Sequence, residues 1–336
     1  MSHNTTFLPQ SSQTNNLLDP HIVELVLAVQ PFVLGTAGLF GILGNVINIL
    51  VFYKQGYSDS VNIILTALAI SDTGAQVTLQ VFYLIMNPWI MNSGLVVNPL
   101  ETSTAAAIYP HYYFIRVCGF ITAYAALERC VCVVSPLKVK RIFTNKTAIV
   151  TAIIFFAITM LRMFPVFYTV YLGRFDFNAN GPTVYAKFRE NVYTIFNITY
   201  YIYDLMAPYT TFFIILMSTG IITIKLKHQS RWRQSMSHVK KETHISSREK
   251  KTVIMLSTIS IVFVICLIPS STKLTVISFM PDLRLAGKNF SIALMCYCAC
   301  FLFETVLSSV NIFIYLRMSQ KYREQFFIIF SRKKII

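Results

Sequence analysis

Eight ionisable side chains sit where a charged group is expensive. Asp72, Arg116, Glu128, Arg129, Arg162, Asp204, Lys273 and Glu304 each fall within a long run of apolar residues. In a membrane span, one such charge costs about 3 kcal/mol or more at the bilayer centre, so each needs a partner or water. Acids and bases of this kind can neutralise one another as structure, or they can line a polar cavity for a ligand or an ion. The two roles are compatible. Position along the runs separates three levels. Asp72 is mid-run, level with Asn45, Ser308 and Asn311, which could share hydrogen bonds and water with it. Arg116, Asp204, Lys273 and Glu304 lie nearer the opposite ends of their runs, and His111, Tyr112 and Ile115 precede Arg116 on the same stretch. The Glu128-Arg129 pair closes its run at the other side, out of reach of anything bound above. Cys296, Cys298 and Cys300 alternate, and residues two apart leave different faces of a helix. Only the outer two could converge, so small packing residues are the simpler reading. No metal and no cofactor is expected.

These residues must be held by elements suited to lipid. The chain has 336 residues, 55% hydrophobic and only 13% charged, where a soluble domain carries about 25% charged residues. Seven apolar stretches are long enough to cross as helices, roughly 25–53, 61–87, 104–134, 147–172, 191–224, 252–279 and 290–316. Their length and continuity exclude barrel strands, which are about 10 residues long and alternate. The fifth is long enough to project beyond the membrane. The all-α bundle would occupy residues 25–316, after a polar tail, 1–24, and before a basic amphipathic segment, 317–336. The tail has no apolar core and cleavage site, so it does not read as a signal peptide. Lys and Arg outside the spans number twenty on one face and five on the other. The positive-inside rule places the rich face in the cytoplasm and the N-terminus outside. The net charge of +15 is thus suited to anionic membrane lipids and not to nucleic acid. Asn4-Thr5-Thr6 is a glycosylation sequon in the outer tail; a second, at Asn197, lies too near the membrane. No cysteine falls in an outer loop, so no extracellular disulfide is expected.

Several of these positions together resemble the rhodopsin-like (class A) family of G-protein-coupled receptors. The first span has Gly44-Asn45-Val46 and the second Leu68-Ala69-Ile70-Ser71-Asp72. The third ends in Glu128-Arg129-Cys130 with Pro136 following. The fifth has Pro208; the sixth has Phe263, Cys266 and Pro269; the seventh has Asn311-Ile312-Phe313-Ile314-Tyr315. Within the family the chain looks most like invertebrate orphan, FMRFamide-like and chemosensory receptors. It departs from the family at Thr104, where a cysteine usually ties down the second outer loop, at Leu267 in place of Trp, and at Ile312 in place of Pro. A looser outer lid and a straighter seventh helix follow from those departures.

The resemblance implies a plasma-membrane receptor with no enzymatic activity. Its partners would be an extracellular ligand, a heterotrimeric G protein and membrane lipids. Arg129 would pair with Glu128 and with Glu249 in the inactive state, and ligand would favour a state in which it meets the G protein. Pro208 and Pro269 would act as hinges, and Tyr315 would swing inward. Asp72 with Asn45 and Ser308 resembles the family's sodium site, altered by Cys118. The position of an amine-binding Asp is His111, and that of a retinal-binding Lys is Thr305, which argues against both ligand classes. A peptide or small charged chemical remains, held by His111, Arg116, Asp204, Lys273 and Glu304 among tyrosines such as Tyr112, Tyr200 and Tyr201. Arg116 could equally pair with Asp204 or Glu304 as structure. The rival function is a transporter or channel using the same charges, but the sequence has no internal repeat to support it.

Overall fold

The computed structural model describes residues 20–93, 99–175, 183–188, 200–235, 247–283 and 289–330. Asn4, Asn197 and the tail before residue 20 lie outside them. Helix α1 (Pro20–Gln55) ends at Gly56, which takes a positive φ of 80°. That left-handed conformation suits glycine and stops the helix. Asn62 donates to the Gly56 carbonyl at 2.8 Å, and the Asp59 side chain accepts from the Val61 amide at 3.1 Å. The turn therefore caps helix α2 (Ser60–Ile85) as it begins.

Two short helices follow, α3 (Pro88–Asn92) and α4 (Pro99–Ser103). The chain then passes through a π-helical turn, Thr104–Ile108, into α5 (Tyr109–Val134). Helix α6 (Pro136–Ile142) starts on a proline at its first turn, where no amide is needed. Helix α7 (Asn145–Met160) is capped by the Thr144 hydroxyl, which accepts from the Thr147 amide at 3.2 Å. A turn at Leu161–Arg162 leads to α8 (Met163–Thr169) and then to a hairpin of strands β1 (Val170–Phe175) and β2 (Thr183–Phe188). The strands pair antiparallel, Val170 opposite Phe188 and Phe175 opposite Thr183. A second π-helical turn, Tyr200–Met206, opens α9 (Ala207–Ser235). Helices α10 (Ser247–Phe279), α11 (Phe290–Met318) and α12 (Gln320–Phe330) complete the chain.

The long helices form a ring around α5, which packs on α2, α7, α9 and α10, while α1 lies between α2 and α11. Gly41 lets α1 approach α11, since a Cβ there would stand 2.6 Å from Ser309 Oγ. The bundle is apolar outside and polar inside. Phe40, Phe213 and Phe313 are exposed, whereas Asp72, Gln76, His111 and Glu304 are buried. That distribution fits lipid as the solvent of the outer surface.

Among the described residues, five helical stretches are long and apolar enough to cross a membrane: Ala28–Gln55, Pro99–Val134, Tyr201–His228, Lys250–Phe279 and Ser291–Met318. Two of the seven expected spans fall short of that standard for different reasons. Helix α2 carries Asn62, Thr66, Ser71, Asp72 and Gln76, all of them buried against neighbouring helices. The fourth stretch was expected as one span over 147–172. It instead breaks at Leu161–Arg162, leaving the 16-residue α7 as a shorter apolar helix. Pro165 has no amide to donate to the Leu161 carbonyl, so the helix cannot run straight through. The chain then turns into strand at Val170. The hairpin is an element the sequence pattern did not reveal, and β2 lies against α4 where the family's disulfide is missing. Helix α11 runs unbroken past Ile312, consistent with the missing proline.

Candidate functional site

The outer cluster is assembled from five separate parts of the chain. Arg116 comes from α5, Arg162 from the α7–α8 break, Asp204 from the π-helical turn before α9, Lys273 from α10 and Glu304 from α11. All five are buried. Arg162 donates to Asp204 Oδ2 at 2.5 Å, and Arg116 Nε stands 3.8 Å from Asp204 Oδ1. One carboxylate therefore serves two guanidiniums, and it is Asp204 and not Glu304 that faces Arg116. Arg162 was not among the pocket residues read from sequence. The break that turns it inward, and its partner 42 residues away, are both non-local.

Glu304 is taken by other groups. Its Oε2 is 2.7 Å from His111 Nε2, and its Oε1 accepts from Ser270 Oγ at 2.5 Å. His111 Nδ1 lies 2.9 Å from the Ala75 carbonyl. A carbonyl only accepts, so Nδ1 carries a proton. Another proton must then lie between Nε2 and Oε2. His111 and Glu304 thus form a unit of zero net charge, whichever of the two holds it. Lys273 donates to the Tyr112 hydroxyl at 2.6 Å, and its Nζ is 3.5 Å from the Tyr297 ring centroid. Arg116 reaches the Tyr112 ring from elsewhere, with Cζ 5.9 Å from its centroid. Both contacts have cation–π geometry. Ile115 is buried beside Arg116, and the two line a small crevice together with Phe212, Phe263 and Leu267. Ser270 and Tyr297 were not anticipated, because a serine and a tyrosine in an apolar run carry no signal of their own. Tyr201 does not line the interior: it is 49% exposed. It sits on the outward face of the π-helical turn, where an amphipathic ring suits a membrane interface. The Tyr200 side chain lies outside the described ones.

The middle cluster centres on Asp72. Asn311 donates to its Oδ2 at 2.8 Å, and the Cys118 thiol is 3.2 Å from its Oδ1. Ser308 donates to the Asp72 backbone carbonyl at 3.2 Å. Asn45 was expected on Asp72 as well. It is attached one step removed, donating to the Ser308 carbonyl at 2.8 Å. Both Asp72 oxygens are thus occupied by protein donors. No group of three or more metal-binding side chains occurs among the described residues.

At the inner end, Arg129 donates to Glu128 Oε1 at 2.6 Å, and Ser60 donates to the same oxygen at 2.7 Å. Both charged residues are buried. Glu249 belongs to the first turn of α10, but its side chain lies outside the described ones. Tyr315 is buried already, edge-on to Phe52 at 5.2 Å and 5.4 Å from Tyr322. Tyr322 anchors α12 by donating to Asn48 Oδ1 at 2.6 Å. Pro208 sits at the start of α9 beside the π-helical turn, and Pro269 lies within α10. All seven cysteines are free, and Cys296 alone is exposed.

Residues 44–315 match the family described as 7 transmembrane receptor (rhodopsin family). An FMRFamide receptor of Drosophila melanogaster is 23% identical over 333 residues, which is 96% of this chain and 57% of that protein. The chain thus spans a little over half the length of that relative. The matched region runs from Gly44 to Tyr315 and takes in all three clusters. The chain belongs to the rhodopsin family of seven-transmembrane receptors, and is a multi-pass protein of the plasma membrane and not an enzyme.

Proposed function

We propose that the chain crosses the membrane seven times, receives a peptide or small charged molecule from outside, and activates a heterotrimeric G protein. Helix α2 and the broken α7–α8 segment count as spans in this reading, their polar groups being shielded by neighbouring helices. The observation that carries it is the buried outer cluster. Arg116 reaches Asp204 only at 3.8 Å and Lys273 has no carboxylate partner among the described residues, which suits cations kept ready for a ligand. The peptide reading is supported by the similarity to the Drosophila FMRFamide receptor.

The signal would leave at the other end. Glu128, braced by Ser60, holds Arg129 inside the bundle, and Glu249 would add a second acid from α10. A ligand can move this equilibrium only by binding one arrangement more tightly than the other. Contacts at Lys273 and at Arg116 would couple α10 to α5, and a shift of α10 about Pro269, with α9 pivoting at Pro208, would release Arg129. Tyr315 would leave its place between Phe52 and Tyr322 to support the open state. The test is nucleotide exchange on G proteins in cells expressing the receptor, with and without a peptide and small-molecule panel. The expected result is ligand-dependent exchange that Arg129→Ala removes while surface expression persists. Normal signalling by that variant, or substrate uptake or current without a G protein, would overturn the reading.

A further inference from the structure

Resting on that reading of the outer cluster, we infer that the ligand is an acid, whose anionic group enters between Arg116 and Lys273 beside Tyr112. The argument is a count of charge by hydrogen bonding. His111 and Glu304 share a proton and sum to zero, as the Ala75 carbonyl requires. What remains among the described residues of the cluster is Arg116, Arg162 and Lys273 against Asp204 alone. That leaves two formal positive charges in excess, buried in the bundle.

Geometry says which cations are available. Arg162 has the close bond to Asp204. Arg116 reaches that carboxylate only at 3.8 Å, too far for a hydrogen bond, and its Nε and Asp204 Oδ1 are both left without a hydrogen-bond partner. Among the described residues Arg116 forms no hydrogen bond. Lys273 has a phenol and an aromatic face but no carboxylate. Both side chains contact the Tyr112 ring, Arg116 Cζ at 5.9 Å and Lys273 Nζ at 5.3 Å from its centroid. A buried cation with no counter-charge is costly, and an arriving anion offsets that cost. An amine would add to the excess and is excluded by the same count. The residues beside Arg116 are mostly apolar, Ile115, Phe212, Phe263 and Leu267 among them, with Thr211 the polar exception. The acid would therefore carry an apolar group next to its anionic one, as in a peptide with a free carboxyl terminus or an acidic residue beside an aliphatic or aromatic one.

The experiment uses purified full-length receptor and matched probes, a set of short peptides and aromatic acids each made as the free acid and as the neutral amide. Binding is read as the shift in unfolding temperature with concentration, and G-protein nucleotide exchange is recorded in parallel. The expected result is stabilisation by free acids, weakened about tenfold or more by amidation and by Lys273→Gln or Arg116→Gln. Because Arg116→Gln could impair folding, the charge reversal Lys273→Glu provides a second arm. It should abolish acid binding and admit amine-bearing probes. Stabilisation by amides equal to that by acids, or by no acid in the set, overturns the inference. Acid binding without nucleotide exchange leaves it standing and counts against the proposed signalling function; exchange driven by amides does the reverse.

Discussion

Asp204 holds two guanidiniums, and no other described acid reaches either of them within ion-pair distance. Removing its charge strands both cations, so Asp204→Asn should destabilise the detergent-purified receptor by about 3 kcal/mol or more, read as a lower unfolding temperature. The inner acid predicts the opposite kind of change. Glu128→Gln keeps the shape and the hydrogen bond to Ser60 but loosens its hold on Arg129. Agonist-free nucleotide exchange should rise in that variant and fall back when Arg129→Ala is added. At this scale the sequence showed which charges fall inside apolar runs but not how they pair. Charge inside an apolar run is visible without a structure. The choice of Asp204 over Glu304 as the partner of Arg116 is not, because it depends on a helix break at Leu161 and on a π-helical turn that rotates Asp204 inward. Nor could the run of residues show that Glu304 is spoken for by His111, 193 positions away.

The short helix α12 illustrates an element whose place is set by very few contacts. Its register on the bundle depends on Tyr322, whose hydroxyl bonds Asn48 and whose ring packs on Phe52 and Tyr315. Burial raises the Tyr322 phenol further above its ordinary range, so it stays a hydrogen-bond donor at any physiological pH. Tyr322→Phe should cost about 1 kcal/mol, the worth of one buried hydrogen bond. Tyr322→Ala should free α12 from the bundle altogether, seen as faster amide exchange along Gln320–Phe330. The amphipathic pattern after the seventh span announced this helix well, though it begins at Gln320 and not at Arg317, where α11 is still running. The fourth span was the weakest expectation for the opposite reason. Its apolar composition continues smoothly past Leu161, and hydropathy is blind to a missing amide at Pro165. The hairpin that follows was equally hidden, since strand pairing depends on where the two segments meet.

Across the whole molecule, orientation is the claim most open to direct measurement. With seven crossings the two ends must lie on opposite sides. A tag on the N-terminus should be stained on intact cells, and one after Ile336 only after permeabilisation. Staining of both ends on intact cells would mean an even number of crossings and remove α2 or α7–α8 from the membrane. The bulk composition was enough to place the chain in lipid, because so few charges cannot cover a soluble surface. Helix α2 falls short of the standard for a crossing helix because it spends its polarity inward on the Asp72 and Glu128 clusters.

The free cysteines have a practical reach beyond their packing. No covalent link ties the described outer face together; hydrogen bonds and ion pairs do so instead. Ligand response should therefore survive dithiothreitol, a reagent that disables receptors stapled by a disulfide. Six of the seven thiols are buried and Cys296 is exposed on α11, next to Tyr297 and one helical turn before Cys300, both of which lie near Lys273. A membrane-permeant thiol-reactive fluorophore should couple to the unmodified protein at that one residue. The receptor would then report its own occupancy as a change in emission, with no engineered labelling site.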